Sequence, residues 1–429
     1  MRTRIGLAIF AIGILIYTLI PKNKPIADLQ DIDTSLTNAP RTSAWLQEDI
    51  AFWQSKLDKS PGEFSYKAKL AGAYGLSFSE SGAFDELFEA ASLWDQVNQQ
   101  THYKEASFLR AAAKNAISLH EFKKAESLLL KAEKLGEGLT ATQLMQFDVA
   151  MELAKYDQAE KLLEDLADPS NVDYLIRLSK WNDYKGELSE AIYLLEQVHD
   201  WAQQRNNEKL EFWAITNLGD YYGHAGTIKK AYQAYLEALR IDPSSVYAKK
   251  GIAYIAFAHD NQPKKALQII QSIKGYETNP DLLLLSADIY DHLGDSKKRL
   301  QQHNTFIEQV ASQGLEVLYR MPLASILAEE FQQYDTALDL ARAEVAHRAT
   351  PETYDLLAWI YYLSGDLDKA VALTENKVWG KSKEPVLLLH SAQILKAAGK
   401  LSSAAKIKEE LLEASFELGP KSKREVMSL

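Results

Sequence analysis

A small residue returns down this chain at a nearly constant interval. It stands at Ala90, Ala125, Ala159, Ala191, Ala231, Ala266, Ala337, Ala370 and Ala404, each time inside an amphipathic stretch. Most intervals are 32 to 35 residues, and the one gap of 71 holds a further unit, with Arg299 at the equivalent place after Leu293-Gly294-Asp295. Such a period means stacked supersecondary units, none of which can bury its apolar face alone. An apolar residue three before the small one recurs as well: Phe122, Tyr156, Leu188, Ile228, Tyr334, Leu367 and Leu401. Together these marks predict ten helical hairpins. The intervals of 40 from Ala191 to Ala231 and 38 from Arg299 to Ala337 predict extended second helices there.

The fullest copy runs from Glu211 to Pro243, EFWAITNLGDYYGHAGTIKKAYQAYLEALRIDP. Ile215, Leu218 and Tyr222 share one face of a first helix, and Ile228, Ala231, Tyr235, Ala238 and Leu239 form a stripe on a second. Gly219 and Ala231 are small where the two helices cross, Gly226 ends the first helix, and Asp242-Pro243-Ser244-Ser245 stops the second. The spacing Ile215-x2-Leu218-Gly219-x2-Tyr222, then Ala231-x3-Tyr235, then Pro243 resembles the tetratricopeptide (TPR) repeat. That resemblance implies an all-α, right-handed superhelical solenoid of helical hairpins, a fold whose work is to hold another protein.

Composition narrows the function classes. The chain has 48 Lys+Arg against 59 Asp+Glu, a net charge of -11, which disfavours nucleic acid as a partner. Cysteine is absent, so disulfides, thiolate metal sites, cysteine nucleophiles and lipoprotein modification are excluded. The histidines are scattered, with no HExxH and no i, i+4 pair, so no metal site is expected. Gly136-x-Gly138-x-x-Ala141 matches a dinucleotide fingerprint in letters alone; it falls between two helices, where a strand would be needed first, and reads as a loop. No cofactor is expected.

Residues 1–24 hold the uncharged run Ile5 to Ile20, flanked by Arg2 and Arg4 and by Lys22 and Lys24. Two readings compete, a single transmembrane helix and a cleavable signal peptide; the bulky Tyr17, Leu19 and Ile20 at its end favour the uncleaved anchor. The positive-inside rule then places the C-terminal array outside the cytoplasm, in the periplasm for a bacterial cell. Residues 25–42, rich in Pro, Ser, Thr and Asn, read as a flexible tether. A capping helix over Ala44 to Asp58 follows, with Trp45, Ile50, Trp53 and Leu57 at helical spacing, and Ser60-Pro61-Gly62-Glu63 reads as the next helix start. The array is expected over 43–418, and 419–429 as a frayed basic tail.

In a stacked array the first helices line one continuous groove. Transferring the repeat register places Arg110 and Lys114 there in the second unit, Arg177 and Lys180 in the fourth, and Asn217, Asp220 and His224 in the fifth. Asp288, Asp291 and His292 follow in the seventh, and Asp355, Trp359 and Tyr362 in the ninth. The groove would thus run from basic to acidic and orient a charged peptide or a partner helix. The plain alternative is that each is an ordinary solvated residue. Arg110 and Lys114 only partly match the carboxylate clamp of some TPR domains, so no chaperone-tail receptor is expected. The expectation is a membrane-anchored, non-enzymatic scaffold for a protein or peptide, an envelope assembly or adaptor factor. A cytosol-facing targeting receptor of the same fold, and an enzyme with a site around His224, Asp220 and Asp288, are the alternatives.

Overall fold

The computed structural model describes residues 25–36, 38, 42–273, 275–411 and 416–429. Among them the regular structure is helical, apart from an isolated bridge between Trp379 and Ser382. The apolar run Ile5 to Ile20 lies outside the described residues, and no described helix is long and apolar enough to cross a membrane.

Helix Ala44–Lys59 caps the array, burying Leu46 and laying Ile50, Trp53 and Leu57 on Leu70 and Ala71 of the first hairpin. Ten hairpins follow among the described residues. Units 1 to 3 are Phe64–Ser81 with Phe84–Gln100, Ala106–Ser118 with Phe122–Leu135, and Leu139–Glu152 with Tyr156–Asp165. Units 4 and 5 are Val172–Tyr184 with Leu188–Gln204 and Glu208–His224 with Ile228–Ile241. Unit 6 has Val246–Tyr254, continued by a π-helical turn Ile255–His259, then Pro263–Ser272. Units 7 and 8 are Pro280–His292 with Ser296–Ser312 and Glu316–Glu329 with Tyr334–His347. Unit 9 is Pro351–Leu363 with Leu367–Leu373 and a second π turn, Thr374–Val378; unit 10 is Pro385–Ala397 with Leu401–Leu411. The two second helices expected to be long, in units 4 and 7, are 17 residues each.

The repeating alanine marks the helix crossing in every unit that has it: all nine are buried, with 0–4% of their surface exposed. Arg299 is the exception. Too large for the crossing, it stays half-buried and turns to the Asp291 and Glu330 carboxylates. Proline openings at Asn279-Pro280 and Thr350-Pro351 cap as expected: Asn279 accepts from the Leu282 amide, and Thr350 and Thr353 form a reciprocal capping box. Ser60 does not open a helix. It ends the capping helix, and the Glu63 carboxylate accepts from the Ser65 amide instead.

Both ends of the array depart from expectation. Residues 25–36 pack on units 5 and 6 and are not a loose tether: Ala27 and Ile32 are buried in the main core, and the Asp260 carboxylate accepts from the Ile26 and Ala27 amides at 3.0 and 2.8 Å. Tyr232, Lys265 and Lys249 add bonds to Asp31, to the Ala27 carbonyl and to the Asn38 carbonyl. At the other end, Gly419–Ser428 is a helix and not a frayed tail; Val426 and Leu418 join Leu388, Leu395 and Ile407 of unit 10 in a small core. The physical reason is the same at both ends: a few apolar residues per segment find a partner surface that sequence distance conceals.

Tertiary contacts also close the array on itself. In unit 8, the Ala346 carbonyl accepts from Lys123 of unit 2 at 2.6 Å, and His347 Nε2 meets the carbonyl of His120 at 2.6 Å. Arg348 reaches Glu152 of unit 3 at 3.3 Å.

Candidate partner-binding groove

The first helices of units 5, 6 and 7 line one side of a cavity of about 500 Å³. Glu384, Pro385 and Val386 at the start of unit 10, with Phe416 and Glu417, form the other side. Helical periodicity explains the first set. Asp220 and His224, Tyr247 and Tyr254, and Asp281 and Asp288 all project from first-helix faces that their own hairpins leave open.

Tyr235, from the second helix of unit 5, forms the floor. A Cβ placed on Gly219 or Gly251 would lie 2.5 Å from its ring, so the ring occupies space that only glycine leaves on both helices. Its hydroxyl donates to one oxygen of Asp220 at 2.5 Å, and Tyr247 donates to the other. Burial, and then the Asp220 charge, push both phenols far above their ordinary range, so both remain donors. Asp220 therefore serves as a structural acceptor. Phe416 meets Tyr254 edge-on at 5.4 Å, while the Tyr254 hydroxyl donates to the Phe416 and Glu417 carbonyls. This anchors the C-terminal segment across the groove.

The charge balance is acidic. Partial burial pushes the Glu384 and Glu417 carboxyls up and His224 opposes this; Glu352 and Asp183 add to the rise at Glu384, and Glu384 and Asp183 to that at Glu417. Asp183 is likewise raised by burial against the pull of His224. A second cavity, about 960 Å³, adjoins the first through His224, Glu384, Pro385 and Glu417 and extends towards Glu152, Lys180 and Arg348.

The other expected groove residues divide into groups. Arg110 donates to the Glu137 carbonyl at 2.6 Å and lies against Gly138, so the glycine-rich stretch is a loop braced by arginine. Lys114 is exposed. Arg177 pairs with Asp148 at 2.7 Å and Lys180 with Glu152 at 3.1 Å, so the expected basic end is compensated by carboxylates of the preceding unit. Asn217 bonds the Trp213 carbonyl on its own helix. Asp291 accepts from Arg299, and His292 sits edge-on to Phe257 at 5.5 Å. Burial, with Arg424, holds the His292 imidazole below its ordinary value. Neither lines the cavity that contains Asp220, His224 and Asp288.

In unit 9, Asp355 is a buried partner of His390, 2.7 Å from Nδ1. Trp359 stacks on His390 with centroids 4.1 Å apart and donates to Glu329, and Tyr362 lies against Trp359 at 5.2 Å. Sequence reasoning missed Tyr247, Tyr254, Glu384, Phe416 and Glu417. The last three come from three or more repeats further along the chain, and only tertiary closure brings them to the groove.

These features define a helical-repeat protein, a solenoid of TPR-like hairpins with an acidic, aromatic-walled groove. No protein-family sequence profile matches the chain. It is 24% identical over 304 residues to cellulose synthase operon protein C of Pseudomonas fluorescens (strain SBW25), an alignment covering 67% of this chain and 23% of that protein. The chain thus spans about a quarter of that relative's length. Among solved structures it is similar to the human IFIT1 dimer with m7Gppp-AAAA (14% identity, 73% of this chain and 70% of the other, TM-score 0.48). It is also similar to a tetratricopeptide repeat protein from Parabacteroides merdae ATCC 43184 (19%, 60% and 98%, TM-score 0.35).

Proposed function

We propose that this chain is a membrane-associated scaffold that holds a protein or peptide in the groove of units 5 to 7, as an assembly or adaptor factor of the cell envelope. The cavity carries this reading. It is concave, walled by aromatic rings and edged by carboxylates, the lining that specific ligands use. Its acidic lining favours protein over nucleic acid. The uncharged run Ile5 to Ile20 supports anchoring, with the array outside the cytoplasm. Similarity to a cellulose synthase operon protein supports a place in an envelope assembly. A binding role is favoured over a catalytic one because the hydroxyls of Tyr235 and Tyr247 already occupy Asp220.

The test places a photo-crosslinking amino acid at Val386, an exposed cavity residue, in the full chain in its own membranes, with exposed Tyr193 as the control position. A discrete protein adduct from position 386 and none from 193 is expected. No adduct, or the same adducts from both, would end the proposal. A C-terminal reporter active only outside the cytoplasm is expected; activity only inside identifies the cytosol-facing receptor instead.

A further inference from the structure

The groove cavity has more negative charge than its own cations can balance. Its lining supplies the carboxylates of Asp220, Asp281, Asp288, Glu384 and Glu417 against the single ammonium of Lys250. Asp220 is committed to two tyrosines, and Lys250 is committed to Asp281 at 3.2 Å. Glu384 and Glu417 have no side-chain hydrogen bond or ion pair among the described residues. Both line this cavity and the adjoining one, where Asp183 and Glu352 add carboxylates and the cations Lys180, Lys383 and Arg348 belong to the adjoining cavity alone. Like charges gathered on one cavity wall repel unless a positive group joins them.

The aromatic walls offer the rest of such a group's environment. Lys250 already lies over the Tyr247 ring, 5.5 Å from its centroid, so the site holds an ammonium on an aromatic face in its own structure. Across the cavity, Tyr254 and Phe416 form a wall beside Glu417, and Leu284 and Leu285 supply apolar surface for a methylene stem.

Resting on the partner-binding reading above, we propose that this cavity receives an arginine or lysine side chain of the partner, its stem along the Tyr254–Phe416 wall and its cationic head between Glu384 and Glu417. Charge complementarity selects this occupant over an acidic or purely apolar one. Because Phe416 and Glu417 are held by Tyr254, the cation site is complete only with the C-terminal segment docked.

The experiment probes the immobilised full chain with positional-scanning libraries of acetylated, amidated hexapeptides, one position fixed in turn. Libraries fixed as Arg or Lys should be retained about tenfold more than those fixed as Gln or norleucine, a difference of about 1.4 kcal/mol. The Glu384→Gln/Glu417→Gln double variant should reduce Arg and Lys to the Gln level, with its thermal unfolding transition intact. Phe416→Ala should weaken retention while keeping the order of preference. The proposal is overturned if acidic or apolar libraries bind best, if none binds, or if the folded double variant keeps the Arg/Lys preference. A Val386 adduct that persists undiminished in the double variant sinks the cation site and leaves the scaffold reading standing.

Discussion

Tyr235 fits between two helices because neither has a side chain there. Gly219 lies on its own hairpin and Gly251 on the next, so one ring joins units 5 and 6 while its hydroxyl fixes Asp220. Gly219→Ala should destabilise the array by about 1–3 kcal/mol through overpacking. That exceeds the roughly 1 kcal/mol alanine gains in a helix, and urea denaturation measures the balance. Titration tests another residue. Burial pulls the His390 imidazole down, but the charge and hydrogen bond of Asp355, with Glu329 and Glu425, hold it above its ordinary value of 6.5. Its stabilising contribution is therefore complete below 6.5 and is lost as pH rises through the folded value. In NMR titrations His390 should titrate above that ordinary value, and in Asp355→Asn below it, because burial then acts unopposed.

At the scale of elements, the ends of the array are held by contacts remote in sequence. Segment 25–36 is clasped by the Asp260 carboxylate, which follows the π turn Ile255–His259 closing the first helix of unit 6. Charge-assisted bonds of this kind contribute about 1.5–3 kcal/mol each. Asp260→Ala should therefore leave the hairpins folded while hydrogen exchange at Ile26 and Ala27 rises by an order of magnitude or more. Unchanged exchange would mean that burial of Ile32 alone holds the segment. The hairpins themselves are legible in sequence because each is local: alternation of apolar faces, one small crossing residue and a Pro or Asn start suffice. Segment 25–36 and Gly419–Ser428 are illegible for the converse reason. Their apolar residues are too few to mark a period, and their partners lie elsewhere.

Over the whole molecule, units 2 and 3 touch unit 8 through Lys123, His120 and Glu152 meeting Ala346, His347 and Arg348. Beside these polar bonds the Phe122 ring of unit 2 meets His347 and Arg348, and Phe84 and Phe88 of unit 1 pack on the apolar cluster of units 7 and 8, so the polar bonds themselves fix shape more than stability. Lys123→Ala/His347→Ala should enlarge the radius of gyration in small-angle scattering while changing the unfolding free energy by only about 1 kcal/mol. An unchanged radius would show that hairpin stacking and the apolar contacts of Phe84 and Phe88 with units 7 and 8 hold the curvature without these bonds. The same closure brings the start of unit 10 and the C-terminal segment across the groove of units 5 to 7, so variants that open the array should also weaken partner crosslinking at Val386.

By itself, the sequence determined the helical hairpins, their number and register, and the first-helix faces that carry Asp220, His224 and Asp288, because the 32–35-residue period encodes packing between neighbours. Tertiary structure alone decided which of those residues meet. Arg177 and Lys180 were paired with Asp148 and Glu152, Asp355 was buried against His390, and Asp220 was occupied by two tyrosines. Glu384, Phe416 and Glu417 were then brought in to complete the groove. The physical reason is that a repeat specifies nearest-neighbour contacts, whereas a groove's chemistry depends on how curvature sums over many units and on what the chain's ends cover.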